Sequence, residues 1–265
     1  MVPRFLLNKP LHFGAGEEIN FALLMKNRMN YFLITLICLT LISCDNTTVV
    51  YPDIPDEEPD KEYVDLGLSV KWAVKNIGAE SPMEIGNFYA WGEKEEKSEY
   101  TKENYAFYDE ESMRYTKYVD YWTSLDYDEE GNKLIEIEGG DGIEVLLPID
   151  DVATQTLGKN WRIPTQEECN ELMMNCELST VPILENGKAL RAYTLTGPNG
   201  NSITIINNGS YSDYGYTDHL GFQLWTNYRS DDMFATTIAV YGTSWLITSE
   251  ERHHGLPIRA VYIEE

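Results

Sequence analysis

Cysteine is scarce in this sequence, with 4 in 265 residues. Two of them, Cys169 and Cys176, stand in Gln166-Glu-Glu-Cys-Asn-Glu-Leu-Met-Met-Asn-Cys176, a stretch that reads as helix. Two helical turns would separate them by about 10.5 Å, beyond the reach of a disulfide, so no intrahelical bridge is expected. Basic residues are also few: 20 Lys and Arg stand against 44 Asp and Glu, a formal net charge of −24. Such a balance disfavours nucleic acid and anionic head groups as partners and favours solubility. Long apolar runs are missing except for Tyr31–Ser43. As a helix this run is about 20 Å long, short of the roughly 30 Å hydrocarbon core, so a stable membrane span is not expected. No internal repeat of 20–50 residues is visible, which excludes a solenoid or propeller.

The short apolar run is informative in its setting. Lys26 and Arg28 precede it without any acid, giving the charged and apolar regions of a secretory signal. Leu41-Ile-Ser-Cys44 follows directly and resembles the lipobox of bacterial lipoproteins. The chemistry requires a thiol to take the diacylglyceryl group and a small preceding residue to admit the peptidase. Residues 25–43 are therefore expected to be a lipoprotein signal peptide, with Cys44 lipidated and anchored in outer-membrane lipid. Glu17 and Glu18 suit neither part of a signal, so residues 1–24 read as an upstream start-codon artefact and Met25 as the start. Residues 44–61 combine three prolines with acids and little that could form a core, and read as an extended tether. The acidic stretch near the anchor points to an outer-membrane, surface-facing protein, with the periplasmic face as the alternative.

Residues 62–265 are long enough for one sizeable core. Short strand signals are separated by turn chemistry: Tyr63–Leu66 and Leu68–Ala73 around Gly67, and Leu190–Thr196 and Ser202–Ile206 around Gly197-Pro-Asn-Gly200. Trp122–Leu125 and Leu134–Ile137 flank a further turn, and Gln223–Asn227, Ala235–Tyr241, Ser244–Thr248 and Ile258–Ile263 follow. Helices are few. Thr165 with Glu168 spells a capping box, and a second helix is expected from Asp150 or Asp151 to about Leu157. The class is α+β, mostly antiparallel, with about two helices.

Seven ordered segments then carry a resemblance. They are Val64-Asp-Leu-Gly-Leu-Ser-Val-Lys-Trp-Ala73, Asn76-Ile-Gly-Ala79, Gly86-Asn-Phe-Tyr-Ala-Trp-Gly-Glu93, Asp150-Asp-Val-Ala153, Trp161-Arg-Ile-Pro-Thr165, Thr196-Gly-Pro-Asn-Gly-Asn-Ser202 and Arg259-Ala-Val261. Over residues 62–263 the chain resembles the Fibrobacter-type major paralogous domain, abundant on surface lipoproteins of Bacteroidetes-type bacteria. The resemblance implies a C-type-lectin-like fold in which the first and last strands pair, Tyr63–Ala73 lying near Ile258–Ile263. It implies no activity. Relatives often carry an aromatic residue near position 169 and sometimes a cysteine near 75; Cys169 and Lys75 stand here instead. A disulfide from the first strand is thereby removed, leaving two free, buried, inert thiols.

The matched residues read as scaffold. Trp72, Trp91 and Trp161 would each remove about 150–250 Å² from water when packed, which suits core anchors. Arg162 would need an acidic partner if buried, with Asp150 or Asp151 the candidates. No catalytic constellation stands out. The cysteines that formylglycine-generating relatives use late in the domain are missing, and none of His219, His253 and His254 sits in a nucleophile-elbow context. Glu250-Glu-Arg-His-His-Gly255 reads as an exposed, solvated turn, and no metal is assigned to it. Calcium, an option in lectin-like domains, finds no support: the Glu-Pro-Asn, Gln-Pro-Asp and Trp-Asn-Asp tripeptides of sugar-binding lectins are missing, and Asp126–Ile137 departs from an EF-hand at positions 5 and 12. No cofactor is therefore expected. The most ligand-like stretch is Asn207–Gly221 with Leu224–Asp232. Tyr211, Tyr214, Tyr216, Trp225 and Tyr228, set among Ser, Gly, Asn and Asp, match recognition-loop chemistry. The sequence thus points to a non-catalytic surface module binding a glycan or a protein. A structural or pilus-associated envelope subunit is the alternative, ahead of an enzyme.

Overall fold

The computed structural model describes residues 62–127, 133–185, 188–219 and 221–264. The signal, Cys44, the tether and the turn inside Asp126–Ile137 lie outside the described residues. In chain order the elements are β1 (Tyr63–Val64), β2 (Lys71–Ala73), β3 (Tyr108–Asp109), β4 (Arg114–Tyr115), β5 (Trp122–Tyr127), β6 (Lys133–Gly139), α1 (Val152–Leu157), β7 (Trp161–Arg162) and α2 (Gln166–Asn175). Then follow β8 (Glu177–Glu185), β9 (Lys188–Thr196), β10 (Ser202–Ile206), β11 (Gly209–Ser212), β12 (Gly215–Asp218), β13 (Gly221–Arg229), β14 (Phe234–Tyr241), β15 (Ser244–Glu251) and β16 (Val261–Tyr262). All the pairings among them are antiparallel. The protein is α+β, with two helices among the described residues, neither long and apolar enough to cross a membrane.

The two ends of the domain meet in a sheet ordered β1–β2–β16–β7, with Val261 opposite Trp72 on one side and Arg162 on the other. Trp72, Trp91 and Trp161 are all buried in the core. Two three-stranded sheets, β10–β9–β8 and β13–β14–β15, supply most of the remaining apolar surface. One core cluster gathers Trp91, Tyr118, Trp161, Trp225 and Ile258; the other gathers Trp72, Cys169, Tyr193, Leu195 and Phe222. Pro182 interrupts the apolar pattern of β8, and the strand forms regardless because β8 is an edge, where a missing N–H costs no central ladder bond.

Both helices start as their sequence dictates. Asp151 caps α1, its Oδ1 accepting from the amides of Ala153 and Thr154 at 2.9 and 3.2 Å. Thr165 and Glu168 form the reciprocal capping box of α2. The expected partner of Arg162 was Asp150 or Asp151, and neither takes that role. Arg162 forks onto Glu168, with Nη1 2.8 Å from Oε2. Asp151 is otherwise engaged, because its second oxygen accepts from the Ile163 amide at 2.9 Å, and Asp150 faces Lys117 and the Tyr118 hydroxyl. Cys169 is buried, Cys176 is only partly so, and both are free thiols. Burial pushes the Cys169 thiol far above its ordinary pKa.

Between β2 and α1 the backbone outside the β3–β4 and β5–β6 hairpins has few ladder bonds, so side chains hold much of it. Asp141 accepts from the amides of Tyr118, Val119 and Ile143 at 2.7, 3.0 and 3.1 Å. Burial opposes its charge, yet these three donors outweigh that and keep its carboxyl below the ordinary value of 3.8. Asp141→Ala leaves three amides without their acceptor and is expected to cost about 1–3 kcal/mol at pH 7. A depressed carboxylate stabilises above its unfolded pKa and loses that contribution as pH falls through the folded value. The gap between wild type and variant should therefore close in acid below pH 3.8, read by denaturant titration at several pH values. A gap that is constant with pH would contradict this role. Arg259, fully buried, joins the terminal strands: its Nε donates to Asn76 Oδ1 at 2.7 Å, its Nη1 to the Ala73 and Val74 carbonyls, and its Nη2 to Thr204 O at 3.1 Å. Desolvation lowers its pKa to about 9, so it remains charged at neutral pH.

Candidate functional site

Within the stretch expected to be a recognition loop, Gly209–Asp218 form a hairpin. Tyr211 pairs with Tyr216 and Ser212 with Gly215, leaving Asp213 and Tyr214 at the tip. Gly215 has φ +88°, while neither tip residue is positive, the arrangement in which a type I turn is followed by a left-handed residue. The sequence concealed this because Ser, Asp and Gly dominate the segment and the strand period is carried by few apolar side chains.

The hairpin is fastened from one side. Tyr211 exchanges both backbone hydrogen bonds with Gly255, at 3.0 and 2.9 Å. A side chain at 255 would press on the Tyr100 ring, with its Cβ only 2.8 Å away. The Tyr211 ring packs on Tyr100 and edge-on to Phe88, with centroids 5.3 and 5.0 Å apart, and Tyr216 also meets Phe88 edge-on. The Tyr216 hydroxyl donates to Asp218 Oδ1 at 2.9 Å, and burial together with that carboxylate pushes its pKa well up. Tyr214 touches none of this and is 98% exposed, whereas Tyr216 is 39% exposed. Beside them lies a cleft of roughly 240 Å³ lined by Ser98, Glu99, Tyr100, Thr101, Tyr211, Ser212, Asp213 and Gly215. It is below the usual range for a complete small-molecule pocket, about 300–1,000 Å³, and suits one part of an extended ligand.

The five aromatic residues singled out from the sequence therefore separate. Trp225, expected to contact ligand, is 0% exposed; this expectation is overturned, because its indole N–H donates to Tyr89 O at 2.8 Å inside the core. Tyr228 bridges to Val145, its hydroxyl donating to Glu144 Oε2 at 3.2 Å, and it does not line the cleft. Tyr211 is half-buried and supports the hairpin. Tyr214 and Tyr216 stay available. This chain matches no family model, no curated protein and no solved structure. Its function must be read from the site itself.

Two histidines behind the hairpin tip correct a second expectation. The Glu250–Gly255 stretch is not a solvated turn: His253 is 1% exposed and His254 is largely buried. His253 Nε2 lies 3.0 Å from Asp213 Oδ2 and 3.4 Å from Glu251 Oε2. His254 Nε2 lies 3.5 Å from the same Asp213 oxygen, and its Nδ1 is 2.8 Å from Glu250 Oε1. Burial works against charge on His254, Asp213 and Glu250 alike, yet mutual hydrogen bonding wins: the His254 pKa rises and both carboxyls fall. Elsewhere, Ser210 Oγ sits 2.9 Å from His219 Nε2, a pair that sequence position does not advertise. Ser210 is itself buried within the hairpin.

Proposed function

We propose that this chain is a non-catalytic, lipid-anchored surface module that recognises a glycan through the β11–β12 hairpin and its adjoining cleft. The observation that carries the reading is Tyr214, a fully presented ring at the tip of a hairpin whose other tyrosines are held by packing. The presented phenol ring offers an apolar face to a sugar ring, while Ser98, Glu99, Thr101 and Ser212 supply polar groups to its hydroxyls. The Leu41-Ile-Ser-Cys44 sequence supports the anchor, and the acidic tether supports display away from the membrane. Pairing of the two terminal strands agrees with a C-type-lectin-like fold, in which a ligand surface on long loops before the last strands is expected.

The test is a glycan array probed with the full chain and with Tyr214→Ala and Tyr216→Ala. Loss of an exposed aromatic contact worth about 0.5–1.5 kcal/mol should weaken a bound glycan roughly two- to tenfold. An array with no bound glycan, or binding unchanged in both variants, counts against the reading.

A further inference from the structure

Asp213, Glu251, His253 and His254 each present one ligand atom, and the four atoms lie within 4.8 Å of one another. We propose that they form a site for a divalent transition-metal ion of the zinc class, joining the tip of the β11–β12 hairpin to the end of β15. The donor set is two imidazole nitrogens and two carboxylate oxygens. Calcium and magnesium take oxygen ligands, whereas imidazole suits zinc and its transition-metal neighbours.

The spacing fits such an ion. Tetrahedral ligands about 2.0–2.1 Å from a metal stand about 3.3–3.4 Å from each other. Three of the separations are 3.0 Å from His253 to Asp213, 3.4 Å from His253 to Glu251 and 3.5 Å from His254 to Asp213, and the others are no more than 4.8 Å. Two carboxylates with two neutral imidazoles sum to −2, the charge that a divalent cation neutralises.

One of the two imidazoles already has its outer hydrogen-bond partner. Glu250 Oε1, 2.8 Å from His254 Nδ1, holds a proton on Nδ1, so Nε2, 3.5 Å from Asp213 Oδ2, is the nitrogen that a metal would take. That Nε2 atom is shut off from solvent and makes no well-formed hydrogen bond, with the Asp213 oxygen 3.5 Å away. Without a metal this imidazole faces the Asp213 carboxylate as an ion pair; a bound metal displaces the imidazole proton and takes both groups as ligands. With four protein ligands the site is of the structural kind, and its effect is to hold Asp213, and with it the turn that carries Tyr214, against the end of β15.

Chelator-stripped full chain titrated with Co²⁺, followed by Zn²⁺ competition, tests the proposal without reference to any glycan. One Co²⁺ per chain is expected, with the intense visible bands of a four-coordinate ion, displaced by one equivalent of Zn²⁺ and not by Ca²⁺. Asp213→Ala and His254→Gln should each weaken Co²⁺ binding at least tenfold, Glu250→Gln should weaken it about 10–100-fold by weakening the hydrogen bond that orients His254, and His219→Gln should leave it unchanged. Asp213 occupies an exposed turn, so its variant keeps the test meaningful should a buried-histidine variant fail to fold. Failure to bind Co²⁺ or Zn²⁺ saturably at micromolar concentration, or binding retained in both ligand variants, overturns the site. A glycan result on the array bears only on Tyr214 and Tyr216.

Discussion

Replacing Arg252 by alanine is expected to lower stability by about 3–5 kcal/mol, because a fully buried cation ties the end of β15 to the Tyr105–Tyr118 stretch, which no sheet pairs with it. Its side chain is 0% exposed. Nη1 donates to the carbonyls of Tyr118 and Asp232 at 3.0 and 2.8 Å, Nη2 donates to Lys117 O at 2.8 Å, and Nε donates to Tyr105 Oη at 3.2 Å. The guanidinium also lies over aromatic faces, 5.0 Å from the Trp91 ring centre and 5.2 Å from that of Tyr115. Truncation leaves those carbonyls buried without donors and opens a cavity among the rings. Arg252→Lys keeps the charge but cannot span the same fork, and should recover only part of the loss. Urea unfolding followed by tryptophan fluorescence measures both variants. An Arg252→Ala midpoint equal to wild type would remove this residue from the account of the fold.

Trp225→Ala is expected to be about as damaging, roughly 3–5 kcal/mol, through lost packing and the cavity left behind. Trp225 and Trp91 clamp two segments reciprocally: Trp225 donates to Tyr89 O while Trp91 donates to Thr226 O, both at 2.8 Å. Trp225→Phe should retain much of the packing and cost about 0.5–1.5 kcal/mol for the lost hydrogen bond, because Tyr89 O keeps the Leu256 amide at 3.1 Å. Thermal melts of the two variants separate this from a ligand role. A Trp225→Phe protein as stable as wild type that had lost glycan binding would restore Trp225 to the recognition surface.

What was legible in the sequence follows the range of the interactions. The Thr165–Glu168 capping box, the Asp151 cap and the Gly197–Gly200 hairpin are written within a few consecutive residues, and all three form. Pairing of the terminal strands came from resemblance and is present in the Val261–Trp72 register. Partner choice at long range was not legible. Arg162 had several acids near it, and only the geometry of the α2 cap selects Glu168. His253 and His254 read as a polar turn because the acid that meets them, Asp213, lies 40 residues before His253. Trp225 sits among polar neighbours in the chain and is buried only because β13 runs through the core with seven successive buried positions at its start. The useful signal was alternation in Ser210-Tyr-Ser212 ahead of Gly215, which marks a strand and a tight turn where a loop was expected.

Fold and site are coupled at one point in the chain. Arg252 reaches into the aromatic core, the next two residues face Asp213, and Gly255 pairs with Tyr211, so four consecutive residues fasten the hairpin to the body of the domain. The recognition surface is tested most directly by amide hydrogen exchange of the full chain with and without the best-bound glycan from the array. Slowed exchange is expected at Ser98–Thr101 and Ser212–Gly215, the two segments that line the cleft. Protection confined to the β13–β14–β15 sheet, with the hairpin tip unchanged, would contradict the assignment.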